Sequence, residues 1–126
     1  MKVNKKIPPR KFKVGNGSIE LMDAASIELE VNEQVTFISP DEKEYDIVRK
    51  EWGYYGTPSI NGRLVKFGIK TALVKSPGNL YFIHLVEKEK LTDYINYINR
   101  ENHIILCWLD EEKTISKLDK TFLNEH

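Results

Sequence analysis

Lys11-Phe12-Lys13-Val14-Gly15-Asn16-Gly17-Ser18-Ile19-Glu20-Leu21 decides how the chain begins to fold. Phe12 and Val14 alternate with Lys11 and Lys13; Ile19 and Leu21 alternate with Ser18 and Glu20. A period of two places the apolar side chains on one face of a strand and the charges on the other. Asn16-Gly17 lies between the two runs, and this dipeptide favours the positive φ angles of a tight hairpin turn. Asn16-Gly17-Ser18 also fits a glycosylation acceptor, but no secretory signal precedes it, so it is read as a turn.

The same alternation continues downstream. Ile27, Leu29 and Val31 are interleaved with Ser26, Glu28 and Glu30, and Val35 and Phe37 follow a turn at Asn32-Glu33. Ser39-Pro40-Asp41-Glu42-Lys43 supplies another turn, with Pro40 preset for its first corner position. Tyr45 and Ile47 return as a strand. This is an antiparallel β-meander of about five short strands, spaced as in a small barrel or sandwich. Upstream, Lys2, Lys5, Lys6, Arg10, Lys11 and Lys13 lie within thirteen residues that hold no acid. Residues 1–10 are read as a basic flexible arm, kept extended by Pro8-Pro9, and residues 11–126 as a single α+β domain.

The texture changes at Trp52. Trp52-Gly53-Tyr54-Tyr55-Gly56 reads as a glycine-rich loop, and Thr57-Pro58 as a helix start, with Thr as cap and Pro at the first helical position. Ile60, Leu64 and Phe67 follow at helical spacing, and Gly68 is placed to end the helix in a left-handed cap. If Gly62 breaks this helix, Asn61-Gly62-Arg63 becomes a turn instead. Residues 69–75 and 79–86 form a β-hairpin around Ser76-Pro77-Gly78-Asn79, a type II arrangement. Leu80 to Val86 is apolar on both alternating faces, which predicts a central strand covered on both sides. Leu91, Tyr94, Ile95 and Ile98 share one helical face, so residues 88–100 form an amphipathic helix. His103 to Leu109 is a short apolar run, strand by length, although a helix is not excluded by its pattern. Ile115, Leu118 and Phe122 predict a C-terminal helix over residues 111–123. Strands first, then helix, hairpin, helix, strand and helix is an α+β order, not that of a doubly wound parallel sheet.

Composition bounds the function. Lys plus Arg and Asp plus Glu number 19 each, so the formal net charge is zero. That weighs against nucleic acid as the main partner. No apolar run approaches membrane-spanning length, and a cytoplasmic location with no membrane association is expected. Cys107 is the one cysteine; it cannot form an intrachain bridge, and its neighbours Leu106 and Trp108 mark it as a core thiol. His84, His103 and His126 show no metal-ligand spacing, so neither a metal nor a cofactor is expected.

The strongest candidate for a ligand site is the segment from Tyr54 to Lys66. Backbone N–H groups at the helix start near Thr57 and Ser59 would grip an anion. Gly56 would let the ligand approach the backbone, Arg63 and Lys66 would neutralise it, and Tyr54 and Tyr55 would line the pocket. The spacing is not that of a phosphate-binding P-loop. The leading expectation is a small binding or accessory protein that recognises a phosphorylated metabolite, a nucleotide or an activated sugar. One alternative is a protein–protein interaction module or homodimer, using the basic arm and the C-terminal helix as contacts. Another is a small acid–base enzyme with Asp46 and His84 as its pair. Against the last stands the common role of strand carboxylates as the wet side of a sheet and of mid-strand histidines as satisfied core residues.

Overall fold

Residues 2–14 and 19–28 pair as one long hairpin in a computed structural model, which describes residues 1–15, 17 and 19–123. β1 (Lys2–Val14) and β2 (Ile19–Glu28) are antiparallel, with Phe12 opposite Leu21 and Val14 opposite Ile19. The alternating residues therefore share a face, as the opening stretch predicts. The segment read as an arm is drawn into β1 from Lys2 onward. Between Lys5 and Arg10 the register shifts, across the stretch where Pro8 and Pro9 have no N–H to give to a ladder. Asp23 accepts from Lys6 and Arg10 on the way. Asn16 of the expected turn and the terminal His126 lie outside the described residues.

The chain divides into two compact units, Met1–Thr57 and Pro58–His126. Besides its hairpin, the first holds the sheet β3 (Gln34–Ile38), β4 (Glu44–Lys50) and β5 (Gly53–Gly56), antiparallel in that order. The five-stranded meander is thus present as two open sheets, not a closed barrel. Two details differ from the sequence reading. Residues 19–28 are one continuous strand rather than two, and Gly53–Gly56 is a strand rather than a loop, paired to β4 from Ile47 to Lys50.

The second unit begins with a helix of one turn, α1 (Arg63–Lys66), which packs against β6 through the fully buried Leu64. Gly68 follows it at φ 74°, its N–H donating to Val65. This is the expected left-handed cap. β6 (Ile69–Lys75), β7 (Tyr81–Glu87) and β8 (Ile104–Trp108) form an antiparallel sheet in the order β7-β6-β8. The hairpin turn is not type II. Asn79, rather than Gly78, takes the positive φ, and the Asn79 N–H donates to the Ser76 carbonyl. A type I turn followed by a left-handed residue closes such three-residue loops.

After a 3-10 turn at Lys88–Lys90, α2 (Leu91–Arg100) crosses one face of the sheet. It ends in a Schellman motif: His103 donates to the Ile98 carbonyl and Asn102, at φ 55°, to that of Asn99. Ile98 packs on Ala72 and Val74, with Tyr94, Tyr97, Ile105 and Trp108 around them. The buried stripe of α2 is therefore Leu91, Tyr94, Tyr97 and Ile98, while Ile95 faces outward. Within residues 103–109, Ile104–Trp108 is strand β8, and α3 (Glu112–Leu123) closes the described chain.

Candidate functional site

The residues picked out between Tyr54 and Lys66 fall on both sides of the division between the units. Tyr54, Tyr55, Gly56 and Thr57 end the first; Ser59, Arg63 and Lys66 begin the second. Each group is built by its own surroundings.

In the first unit, β5 runs on past its last residue. The Thr57 N–H donates to the Asp46 carbonyl at 3.1 Å, and the Thr57 hydroxyl to Gln34 Oε1 at 3.1 Å. Thr57 is thus a continuation of the sheet and caps no helix. The space above Gly56 is taken by Tyr45, whose hydroxyl a Cβ at position 56 would strike. Tyr54 and Tyr55 stand open to solvent, 65% and 46% exposed, and Tyr55 stacks with Trp52 at a centroid distance of 5.8 Å.

In the second unit, the helix begins at Arg63, four residues after Ser59. Ser59 collects the donors that a helix start leaves free. Its carbonyl accepts from Gly62 and Leu64, and its hydroxyl accepts from the Arg63 N–H at 3.3 Å. The turn foreseen at Asn61-Gly62-Arg63 is what forms, and four residues carry little dipole. The amides of Thr57, Gly62, Arg63 and Leu64 all bond within the protein.

Asp46 and His84 belong to different units and are each held in their own. Asp46 is buried in β4 and accepts from the Thr36 hydroxyl at 2.5 Å. His84 lies in an aromatic cluster on the α2 side of the second unit. Its Nδ1 and the Tyr94 hydroxyl are hydrogen-bonded at 2.7 Å. The rings of Tyr94 and Tyr97 meet it edge-on, and His103 lies 6.4 Å away between centroids. Burial, with the neighbouring His103, holds the His84 imidazole below its ordinary pKa of 6.5 and so keeps it neutral. Burial pushes the Tyr94 phenol up to about 12, with Tyr97 adding to it.

The aromatic cluster joins elements that sequence separation hides: β7 gives His84 and Phe82, α2 gives the tyrosines, and β8 gives Trp108. Trp108 also lies under the Lys70 ammonium, 4.7 Å from the ring centre. Lys70 in turn pairs with Asp110 at 3.2 Å, and Asp110 Oδ1 accepts the Thr71 N–H at 2.9 Å. Asp110 therefore ties the β8–α3 connection to β6. Cys107 borders a cavity of about 460 Å³ walled on its other side by Lys113, Lys117, Leu118 and Thr121 of α3.

The surface opposite α2 is where sequence and structure part most. β7 was expected at the centre of its sheet, covered on both sides. It is an edge strand, and β6 takes the centre, with Ile69, Thr71, Ala72 and Val74 all buried. Side chains alternate along β7, and His84 faces α2, so Tyr81, Ile83 and Leu85 face away from it. Tyr81 is 58% and Ile83 55% exposed. Ile104, in the same row across β6 Lys75, is exposed as well. α3 buries none of its own residues and leaves Phe122 and Leu123 open. No helix among the described residues is long and apolar enough to cross a membrane.

No family model, curated protein or solved structure matches the chain.

Proposed function

We propose that the chain is a protein-interaction module that works through the apolar edge and open face of its second unit. The carrying observation is β7: its composition is that of an interior strand, while its position is at an edge with Tyr81 and Ile83 exposed. Edge strands in natural proteins are usually blunted by an inward charge, a proline or a bulge. Tyr81-Phe82-Ile83-His84-Leu85-Val86 has no proline, lysine or acid, and its pairing to β6 is unbroken. Exposed apolar surface of this kind marks an interaction site.

The test is a photo-reactive residue at position 83 of the full chain, expressed in its own cells, beside a control at exposed Asn96 of the same unit. A discrete covalent product from position 83 and none from position 96 is expected. Equal labelling at both positions, or none at either, overturns the proposal.

An anionic ligand is the second reading. It is favoured by the solvent-exposed Trp52–Tyr55 stack, a flat platform suited to a base or sugar. A rise in melting temperature with nucleotides or sugar phosphates, lost in Tyr55→Ala, would establish it.

A further inference from the structure

We infer that the partner of β7 is a second copy of this chain, joined edge to edge about a two-fold axis through His84. This rests on the interaction-module reading and names the occupant of that surface.

The ladder shows which backbone groups are available. Lys88 donates to the Gly68 carbonyl, and Ser76 donates to that of Leu80. Both bonds continue the β6–β7 register, in which Ile69 faces Glu87 and Lys75 faces Tyr81. Even-numbered residues of the second strand thus direct their N–H and C=O toward β6. In an antiparallel strand the intervening residues direct theirs the other way. Tyr81, Ile83, Leu85 and Glu87 accordingly turn their N–H and C=O to the outer edge, where no strand of the described residues meets them.

These four residues are symmetric about His84. Two copies in antiparallel alignment place Ile83 against Leu85 of the other copy and Tyr81 against its Glu87. Every outward donor then meets an outward acceptor. An alignment centred on Ile83 or on Leu85 leaves outward groups of the row overhanging. Side chains agree with the His84 centre. Ile83 meets Leu85 on the open face, where both are exposed, so these apolar groups cover one another. No charge occurs from Tyr81 to Val86, so self-pairing brings no like charges together there. At the end of the row, Tyr81 meets Glu87 of the other copy, whose carboxylate is held by its own Lys90 at 3.2 Å. The margin therefore sets no unpaired like charges against each other, as a contact of a surface with itself requires. The product is a six-stranded antiparallel sheet whose remaining edges are the two β8 strands.

The experiment uses the full chain with Cys107→Ser. One preparation carries Ile83→Cys, the other Leu85→Cys. After mixing and mild oxidation, the expected product is a disulfide-linked pair holding one of each. Ile83→Cys linked to itself would place the axis on residue 83 and overturn the register. Light scattering of the unmodified chain should plateau at twice the chain mass. A monomer at every concentration, or open-ended growth beyond a dimer, overturns the inference. Ile83→Pro removes one outward N–H and none that serves β6. It should keep the circular dichroism of the parent and weaken association by at least about tenfold; undiminished association would count against the edge. A monomeric chain that still forms a photo-product with another protein at position 83 defeats the second copy alone. No photo-product of any kind defeats the interaction module as well.

Discussion

Gly56 shows at the scale of one residue how a feature that reads as a ligand site serves the fold. A glycine between aromatic and hydroxyl residues suggests room for a ligand against the backbone. The room is real, and the Tyr45 hydroxyl uses it. Gly56→Ala should therefore destabilise the protein by about 1–3 kcal/mol, the usual effect of forcing a methyl into occupied space. The φ of Gly56 is not positive, so the effect is steric, and shortening Tyr45 should remove most of it. Denaturant unfolding of Gly56→Ala, Tyr45→Ala and the double variant checks this. Additive losses would show that the two positions do not meet. Ser59 teaches the same lesson. It stands at the segment read as an anion site, and its hydroxyl accepts the Arg63 amide. Sequence gives the capacity of a group to hydrogen-bond; only the path of the chain decides its partner.

At the scale of elements, Asp110 is a tie that joins three of them. Its side chain is 8% exposed and bonds Lys70 and the backbone of β6 on one side of the β8–α3 connection. Asp110→Ala leaves the half-buried Lys70 ammonium and the Thr71 N–H without this partner. A loss of about 2–4 kcal/mol is expected, toward the range for breaking a buried ion pair. Asp110→Asn keeps an acceptor for Thr71 and should recover part of it; equal loss from both would assign the whole effect to the charge. The elements themselves were largely legible. Alternation marked β3, β4 and the turn ends of β1 and β2, Gly68 marked the end of α1, and helical spacing marked α2 and α3. What escaped was cover. Ile95 has the right spacing for the core face, but the larger Tyr97 ring reaches His84 and His103, and the helix turns toward it. β7 is apolar on both faces, which says that it is to be buried and leaves open whether by its own chain. Gly53–Gly56 lacks any alternation, so its pairing to β4 left no trace in the pattern.

At the scale of the molecule, the two units respond to acid at different points, because different groups link them to protons. In the second unit, His84 has its pKa held below the ordinary 6.5. Unfolding returns it to that value, so the unfolded chain binds more protons. The contribution of neutral His84 is complete above pH 6.5 and is lost as pH falls through its lower folded value. In the first unit, the Lys6 bond, followed by the charges of Lys6 and Arg10, holds the Asp23 carboxyl below its ordinary 3.8. The Glu30 backbone N–H and then the chain's amino terminus lower Glu33 below 4.5. These contributions are present above the ordinary values and fade only at lower pH. On the alkaline side, Tyr94 is raised from 10.0 to about 12; its contribution is complete below pH 10 and lost as pH rises through about 12. Acid titration should therefore move the aromatic near-ultraviolet dichroism of the Tyr94–His84–Trp108 cluster first, below pH 6.5. The β signal of the first unit should follow at lower pH, below the ordinary 3.8 and 4.5 of its carboxylates. His84→Gln, which cannot take up that proton, should remove the early phase and leave the later one. Coincident transitions, or an early phase that survives in His84→Gln, would place the acid response elsewhere. The same substitution keeps an uncharged group at the proposed two-fold axis. Wild-type dimers should weaken as pH falls below the ordinary 6.5 and the paired imidazoles take up protons, while those of His84→Gln should not.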